Sequence, residues 1–433
     1  MRCTLFLTIS FCLILSSLWV VETNADETQN WPQWRGPTAT GSAPDGNPLV
    51  TWSEQQNIRW KIRLPGTGYS TPAIWGNDIF VTAAIPPENF TPPKRGENPK
   101  QPIKYILMAI DRASGKIHWE KISREEIPHE GQHDTSTWAT SSPITDGKYV
   151  YAYFGSRGLY CYSINGDLVW EKDFGDMTIR RAFGEGSSPA LYKNRLIVNW
   201  DHEGQSFILA LDSATGEEIW RKNRDEVTTW MTPLVVEESG KAQVIATATN
   251  RVRSYDLNTG EIIWEGEGLT ANVIPSPVAA NGVVYVISGH RGSALRAIRL
   301  SAAKGNIDGT DAVLWSYNQD TPYVPSPLLH NGLLYFLKSN QGILTCVNTA
   351  TGQPYYANQR LESIRDMYAS PVGTGDRVYF LSRDGVAMVI KHGPVYNVLA
   401  TNKLDDNFDA SPVIIGDELY LRGHQYLYCI AKQ

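Results

Sequence analysis

Residues 208–220 read ILALDSATGEEIW: a short apolar run, a turn on Thr215-Gly216, then a second run closing on Trp220. The pattern returns at 108–119 (MAIDRASGKIHW), 160–170 (YCYSINGDLVW) and 253–264 (RSYDLNTGEIIW). It recurs in a longer form at 295–315 and a weaker one at 344–356 (LTCVNTATGQPYY). Copies at a steady spacing mean an array of one supersecondary unit, each burying its apolar face on its neighbours. Aligning the copies puts Ala109, Cys161, Ala210, Ser254, Ala297, Cys346, Val389 and Cys429 in one column. All are small, so the position is tightly packed and its cysteines act as small hydrophobes. No CxxC or adjacent cysteine pair occurs, and the three are expected to be buried free thiols.

A second marker is a Ser/Thr-Pro step, at Pro72, Pro143, Pro189, Pro233, Pro277, Pro327, Pro371 and Pro412. The intervals are 71, 46, 44, 44, 50, 44 and 41 residues. Each proline leads an apolar strand, a Gly/Asn/Asp turn and a β-rich strand, and proline suits a strand's first residue. Turns such as Asn281-Gly282, Asn331-Gly332 and Asp146-Gly147 are hairpin signals. Each unit therefore holds four short strands, and the expected fold is all-β: an eight-bladed β-propeller of four-stranded antiparallel blades. The last unit ends at 429–433 without a fourth strand, whereas 57–64 (NIRWKIRL) is a fourth strand without a unit. Joining them closes the ring and removes its free edges, so a monomer is expected. A helical solenoid is excluded by the lack of a 3.6-residue apolar period. A WD40 propeller is disfavoured, because the Gly-His…Trp-Asp pair is missing. The first interval is long because residues 85–102 (IPPENFTPPKRGENPKQP) form a loop, which reads equally as decoration or as a functional element.

The N-terminus sets the compartment. Arg2, an apolar run over 5–21 and Thr23-Asn24-Ala25 read as a signal peptide, residues 1–25, though an uncleaved anchor is the other reading. Residues 26–56 are a Pro/Gly-rich strap, ordered because its three tryptophans need cover, and 57–433 are the propeller. The expected location is extracytoplasmic, periplasmic or secreted, with no membrane span after the leader. A net charge of −6 without a Lys/Arg run gives no footprint for nucleic acid.

The element AxDxxTGxxxW, seen from Ala210 to Trp220, resembles the repeat of the pyrroloquinoline-quinone (PQQ) propeller superfamily, and 31–37 (WPQWRGP) is similar to the opening of bacterial PQQ-like proteins. The resemblance implies that Trp60, Trp119, Trp170, Trp220, Trp264 and Trp315 dock between blades, and Asp212 is expected to join Trp220 in holding blades together. It implies two kinds of function. Quinoprotein alcohol and sugar dehydrogenases hold PQQ and Ca²⁺ over the central channel, many with two adjacent cysteines. Assembly-factor propellers of the β-barrel insertion machinery bind proteins and carry no cofactor. This chain has no adjacent cysteines, and no Ca²⁺ ligand set carries over.

In a propeller the second-to-third turns and the fourth-to-first crossovers share one face, and here that face holds the irregular segments, where function tends to sit. Its turns bring Arg157, Arg251, Arg291 and Arg383, with His290 and His424; its crossovers bring Tyr69, Trp138, Trp230 and Tyr323, besides His129, His133, Arg180, Arg181, Glu185, Asn272 and Asp409. Four arginines from separate blades suggest a pocket for a carboxylate, phosphate or acidic peptide; pairing with neighbouring acids is the alternative. The aromatic residues suit either stacking at the channel mouth or filling it. His129-x-x-x-His133 has metal-ligand spacing only on a helix, and PHEGQHDTST reads as loop, so no metal site is assigned. GxSxG, P-loop, HExxH and dinucleotide fingerprints are missing. The expectation is a non-enzymatic binding or scaffold protein recognising a protein, peptide or polysaccharide through this face, with no cofactor. The alternative is a divergent PQQ-dependent alcohol or sugar dehydrogenase with Ca²⁺ over the channel.

Overall fold

The computed structural model describes residues 29–93 and 97–432; the leader read over 1–25 lies outside the described residues. Eight antiparallel sheets follow one another along the chain, and no α-helix occurs among the described residues. The third blade shows the plan, with strands Ala190–Tyr192, Arg195–Trp200, Ser206–Asp212 and Glu218–Arg224 in consecutive order. The ring closes as its two unmatched ends require: strand Ile58–Arg63 pairs antiparallel with Tyr426–Ile430, setting Trp60 opposite Cys429. Blade four gains a fifth, parallel two-residue strand, Gly305–Asn306, from the long repeat at 295–315.

Register explains the column of small residues. Ala109 faces Trp119, Cys161 faces Trp170, Ala210 faces Trp220 and Ser254 faces Trp264 across adjacent strands. A large ring beside a small partner can lean outward onto the next blade. Trp170 donates its indole N–H to the Ser213 carbonyl (3.0 Å) and Trp220 to that of Leu257 (2.8 Å), each in the following blade. Under Trp170 lies Gly216, at φ +70, where an added Cβ would meet the indole at 2.7 Å. The tryptophans thus join blades as the resemblance implies. Asp212 does not: its Oδ1 accepts the N–H groups of Ala214 and Thr215, closing its own turn. Trp264 also differs. It is fully buried, and its indole N–H goes to Gln243 of its own blade, because the Gly305–Asn306 strand covers it.

The Ser/Thr residues before the prolines form a closed belt. The N–H of Thr71 donates to the hydroxyl of Ser142 (2.9 Å), Ser142 to Ser188 (2.9 Å) and Ser188 to Thr232 (3.2 Å). The relay continues from Thr232 to Ser276 (2.8 Å), Ser276 to Ser326 (2.9 Å) and Ser326 to Ser370 (2.9 Å). Ser370 donates to Ser411 (3.0 Å), and Ser411 returns to Thr71 (3.1 Å). Each blade's innermost residue is thereby tied to the next, and the axial channel acquires a hydroxyl-lined neck.

The strap stoppers one end of that channel. Trp31 exchanges backbone hydrogen bonds with Ile74 of blade one, Ala43 donates to Gly373 of blade seven, and Asn47 to Gly416 of blade eight. Between them Arg35 is buried, its guanidinium donating to the carbonyls of Pro371 and Pro327, both at 2.9 Å. Trp34 brings its indole N–H to 3.5 Å from the belt hydroxyl of Ser411. Cys161, Cys346 and Cys429 are free and buried, and burial pushes the Cys346 thiol up to about 11 and Cys429 up to about 12.

Candidate functional site

With the strap across one end, the channel opens on the irregular face as a cavity of ≈ 460 Å³. All eight crossovers contribute to its lining, from Tyr69 and Thr71 round to Asp409 and Ser411, and Trp34 forms part of the floor. The volume lies within the usual range for a small-ligand site.

The walls are aromatic. Tyr323 stacks on His290 (4.3 Å between ring centroids) and Tyr69 on His424 (4.7 Å). Trp230 is fixed by its indole N–H to the Gly184 carbonyl (2.7 Å), and Phe183 meets His133 edge-on at 5.0 Å. Burial, with the Asp409 charge, pushes the Tyr69 hydroxyl up to about 12, so it remains a donor at neutral pH. Burial, with Arg291 and Arg180, holds His290 below the usual histidine range.

Charge is distributed unevenly around this lining. The carboxylate of Asp409 is already engaged, by Arg383 (2.6 Å) and by His424 Nε2 (2.9 Å). That of Glu185 accepts the Ser156 N–H (2.6 Å) and hydroxyl (2.5 Å), and burial pushes its pKa up to about 7. By contrast Arg180, Arg181 and Arg291 line the cavity and form no ion pair among the described residues. Their backbone is unusual as well: Arg181 (φ 56°), Asn272 (φ 53°) and Arg291 (φ 55°) are left-handed. Non-glycine residues held there cost free energy and cluster at binding sites. The site can bind an anionic group against guanidinium forks while a planar body lies on the aromatic walls.

The ten residues singled out by sequence divide three ways. Tyr69, Trp230, His290, Arg291 and Tyr323 line the cavity. Arg383 and His424 stand behind it, coupled through Asp409, with the Arg383 guanidinium 4.3 Å from the centre of the Tyr368 ring. The other three lie elsewhere: Trp138 and Arg157 border a separate small cavity, and Arg251 pairs with Asp308 at 3.4 Å. Arg157, Arg251 and Arg383 therefore each pair with neighbouring acids, with Arg157 bound to Glu126 (2.5 Å) and to Asp176, and of the four turn arginines Arg291 has no ion pair among the described residues. Arg180 and Arg181 belonged to the irregular crossovers but carried no pattern that set them above their neighbours.

A stoppered eight-bladed propeller with a cationic, aromatic axial cavity is a member of the PQQ-like propeller class. Residues 36–198 and 204–433 match the family described as outer membrane protein assembly factor BamB, and the chain belongs to that family. It is 22% identical over 353 residues to a tetrathionate hydrolase of Acidithiobacillus ferrooxidans, covering 74% of this chain and 64% of that protein. It is 25% identical over 156 residues to the BamB of Kangiella koreensis, covering 35% of this chain and 37% of that one. The aligned regions thus span less than two thirds of either relative. In fold it is similar to a europium-containing methanol dehydrogenase, with a TM-score of 0.65 at 10% identity, over 93% of this chain and 98% of that one.

Proposed function

We propose that this chain is an extracytoplasmic binding propeller that takes an acidic peptide segment of a protein partner into its axial cavity. The observation that carries the reading is the set of three guanidinium groups, Arg180, Arg181 and Arg291, with no carboxylate partner among the described residues, at an aromatic cavity closed below. On a chain of net charge −6 such a cluster concentrates positive potential where the ligand enters. Membership of a family described by outer membrane protein assembly supports both a protein partner and the location. The tetrathionate hydrolase relative supports an anion at such a site, since tetrathionate is a dianion. Fluorescence anisotropy with a labelled Asp-Tyr-Glu-Tyr-Asp peptide tests it. The expected result is binding that weakens as salt rises and drops at least tenfold in the Arg180→Ser/Arg291→Ser variant. Equal binding of a Lys-Tyr-Lys-Tyr-Lys control, or unchanged affinity in the variant, overturns the reading.

The stoppered cavity also favours a second reading. PQQ is a planar tricarboxylate, and the same aromatic walls and guanidinium groups fit its rings and charges. When bound it would supply two-electron oxidation chemistry, with Arg180, Arg181 and Arg291 holding its carboxylates and Trp230 and Tyr323 lying against its rings. A rise in Tm on adding PQQ with Ca²⁺, together with the quinone absorption band on the purified protein, distinguishes this reading from the first.

A further inference from the structure

Beside the axial cavity, off the axis, the crossovers that follow blades one and two meet around a second cavity of ≈ 30 Å³. One ring nitrogen of His129 and one carboxylate oxygen each from Glu130 and Glu185 lie there within 4.8 Å of one another. Tyr105 lines the same cavity; it is 1% exposed, and its hydroxyl has no hydrogen-bond partner among the described residues. Tyr153, Tyr356 and Tyr428 also carry buried hydroxyls left this way, but Tyr105 lines a cavity bordered by two carboxylates and an imidazole, where a bound group would satisfy it.

The surrounding charges point the same way. Glu126, Glu130, Asp176 and Glu185 outnumber the guanidinium groups beside them: that of Arg157 is taken by Glu126 and Asp176, and that of Arg124 by Glu126. Glu185 accepts hydrogen bonds from Ser156, and Glu130 accepts the N–H of Ile179 at 3.1 Å, yet neither forms an ion pair among the described residues. Both retain oxygen lone pairs. His129 Nε2 lies 2.7 Å from the Met177 carbonyl and must donate its proton there, so Nδ1 carries the lone pair; it accepts Arg157 Nη2 at 3.1 Å, a bond that a cation would displace, leaving that guanidinium to Glu126 and Asp176. Histidines that ligate metals commonly hold their second ring nitrogen in this way.

We propose that His129, Glu130 and Glu185, with the Tyr105 hydroxyl, bind one divalent cation. The site lies apart from the position over the channel where quinoproteins hold Ca²⁺, and it does not depend on which ligand the axial cavity takes. Three oxygens and an imidazole suit Mn²⁺ or Zn²⁺ better than Mg²⁺, which retains its waters and prefers oxygen alone. A cavity of this size holds one ion or a water. On loading, the ligand atoms draw together to the roughly 3 Å separations that bonds of about 2.1 Å impose.

The test uses full-length protein stripped with chelator and titrated with Mn²⁺, following loss of the free-ion electron paramagnetic resonance signal. The expected result is one Mn²⁺ per chain, displaced by Zn²⁺ but not by Mg²⁺, with affinity reduced at least tenfold in Glu130→Gln and severalfold in Tyr105→Phe. Thermal unfolding checks that the variants fold: metal-free Glu130→Gln should melt at or above the metal-free parent, having lost one of two facing carboxylates, while the cation-induced rise in Tm disappears. If Mn²⁺ at millimolar concentration neither binds nor shifts Tm, the cluster is a carboxyl pair sharing a proton and the proposal fails. Binding that survives in both Glu130→Gln and Glu185→Gln places the ion elsewhere and equally overturns it.

Discussion

A serine hydroxyl in the belt matters less for its own burial than for the amide it satisfies. Ser326 is 1% exposed and accepts the Ser276 N–H, and it is not part of the axial cavity lining. Ser188 accepts the Ser142 N–H in the same geometry but borders the cavity, where water can replace it. Ser326→Ala therefore strands a buried donor and should cost about 1–3 kcal/mol, whereas Ser188→Ala should cost about 1 kcal/mol or less. Chemical denaturation of the two variants measures the difference, and equal losses would show that the belt is dry, or wet, all the way round. The Ser/Thr-Pro step shows how far a residue can be read alone. Proline fixed the start of each inner strand and so the number of blades. The hydroxyl's partner lies 41 to 71 residues away, and 340 away where Ser411 closes on Thr71, a contact without any local signature.

Among the elements, crossovers and turns occupy the same face at different radii, and this separated the candidate arginines. A crossover ends at the innermost strand, so residues just ahead of each proline stand at the axis; Arg180, Trp230 and Tyr323 do. A second-to-third turn sits midway along its blade, which puts Arg157 and Arg251 beside neighbouring carboxylates, although blade five's turn still brings His290 and the left-handed Arg291 to the cavity. Alternation and turn residues reveal the face; radius is set by packing. The strap's three tryptophans indicated that it is ordered, but nothing local indicated that it closes the channel. Arg35 carries that role, donating to the carbonyls of two belt prolines from blades six and seven. Arg35→Met removes both bonds and leaves two buried carbonyls without donors, a loss of about 2–4 kcal/mol. It should also free Trp34, seen as increased quenching of tryptophan fluorescence by acrylamide while the blades keep their far-ultraviolet circular dichroism.

The molecule is held as a ring by one strand from each end of the chain. Strand Ile58–Arg63 supplies the outer edge of the last blade, pairing Lys61 with Tyr428, Ile62 with Leu427 and Arg63 with Tyr426. Its Trp60 then docks on blade one, donating to the Arg112 carbonyl at 3.0 Å. The closing strand and most of the strap meet different surfaces: the strap meets the face of the first-to-second turns and the strand meets an edge, while the strap's last residues tie Val50 and Trp52 to Asn402 of blade seven and Glu54 to Lys61 of the strand. A chain starting at residue 57 should therefore keep its closed ring, and the oligomeric state of the full chain, without its stopper. A chain starting at residue 66 leaves Tyr426–Ile430 as an open edge of buried apolar character, the kind that recruits another strand. It should melt lower than the chain starting at 57 and associate as concentration rises. A synthetic peptide of residues 57–65 should add itself to that edge, since an extended segment gains affinity from ladder hydrogen bonds and specificity from alternate side chains. Rescue of Tm and of the full chain's oligomeric state by this peptide, but not by one with Ile62→Pro, is the expected result, read by thermal unfolding and size-exclusion chromatography. A chain starting at 66 that kept that state with an unchanged Tm would mean that blade-to-blade packing alone holds the ring and the terminal strand only decorates it.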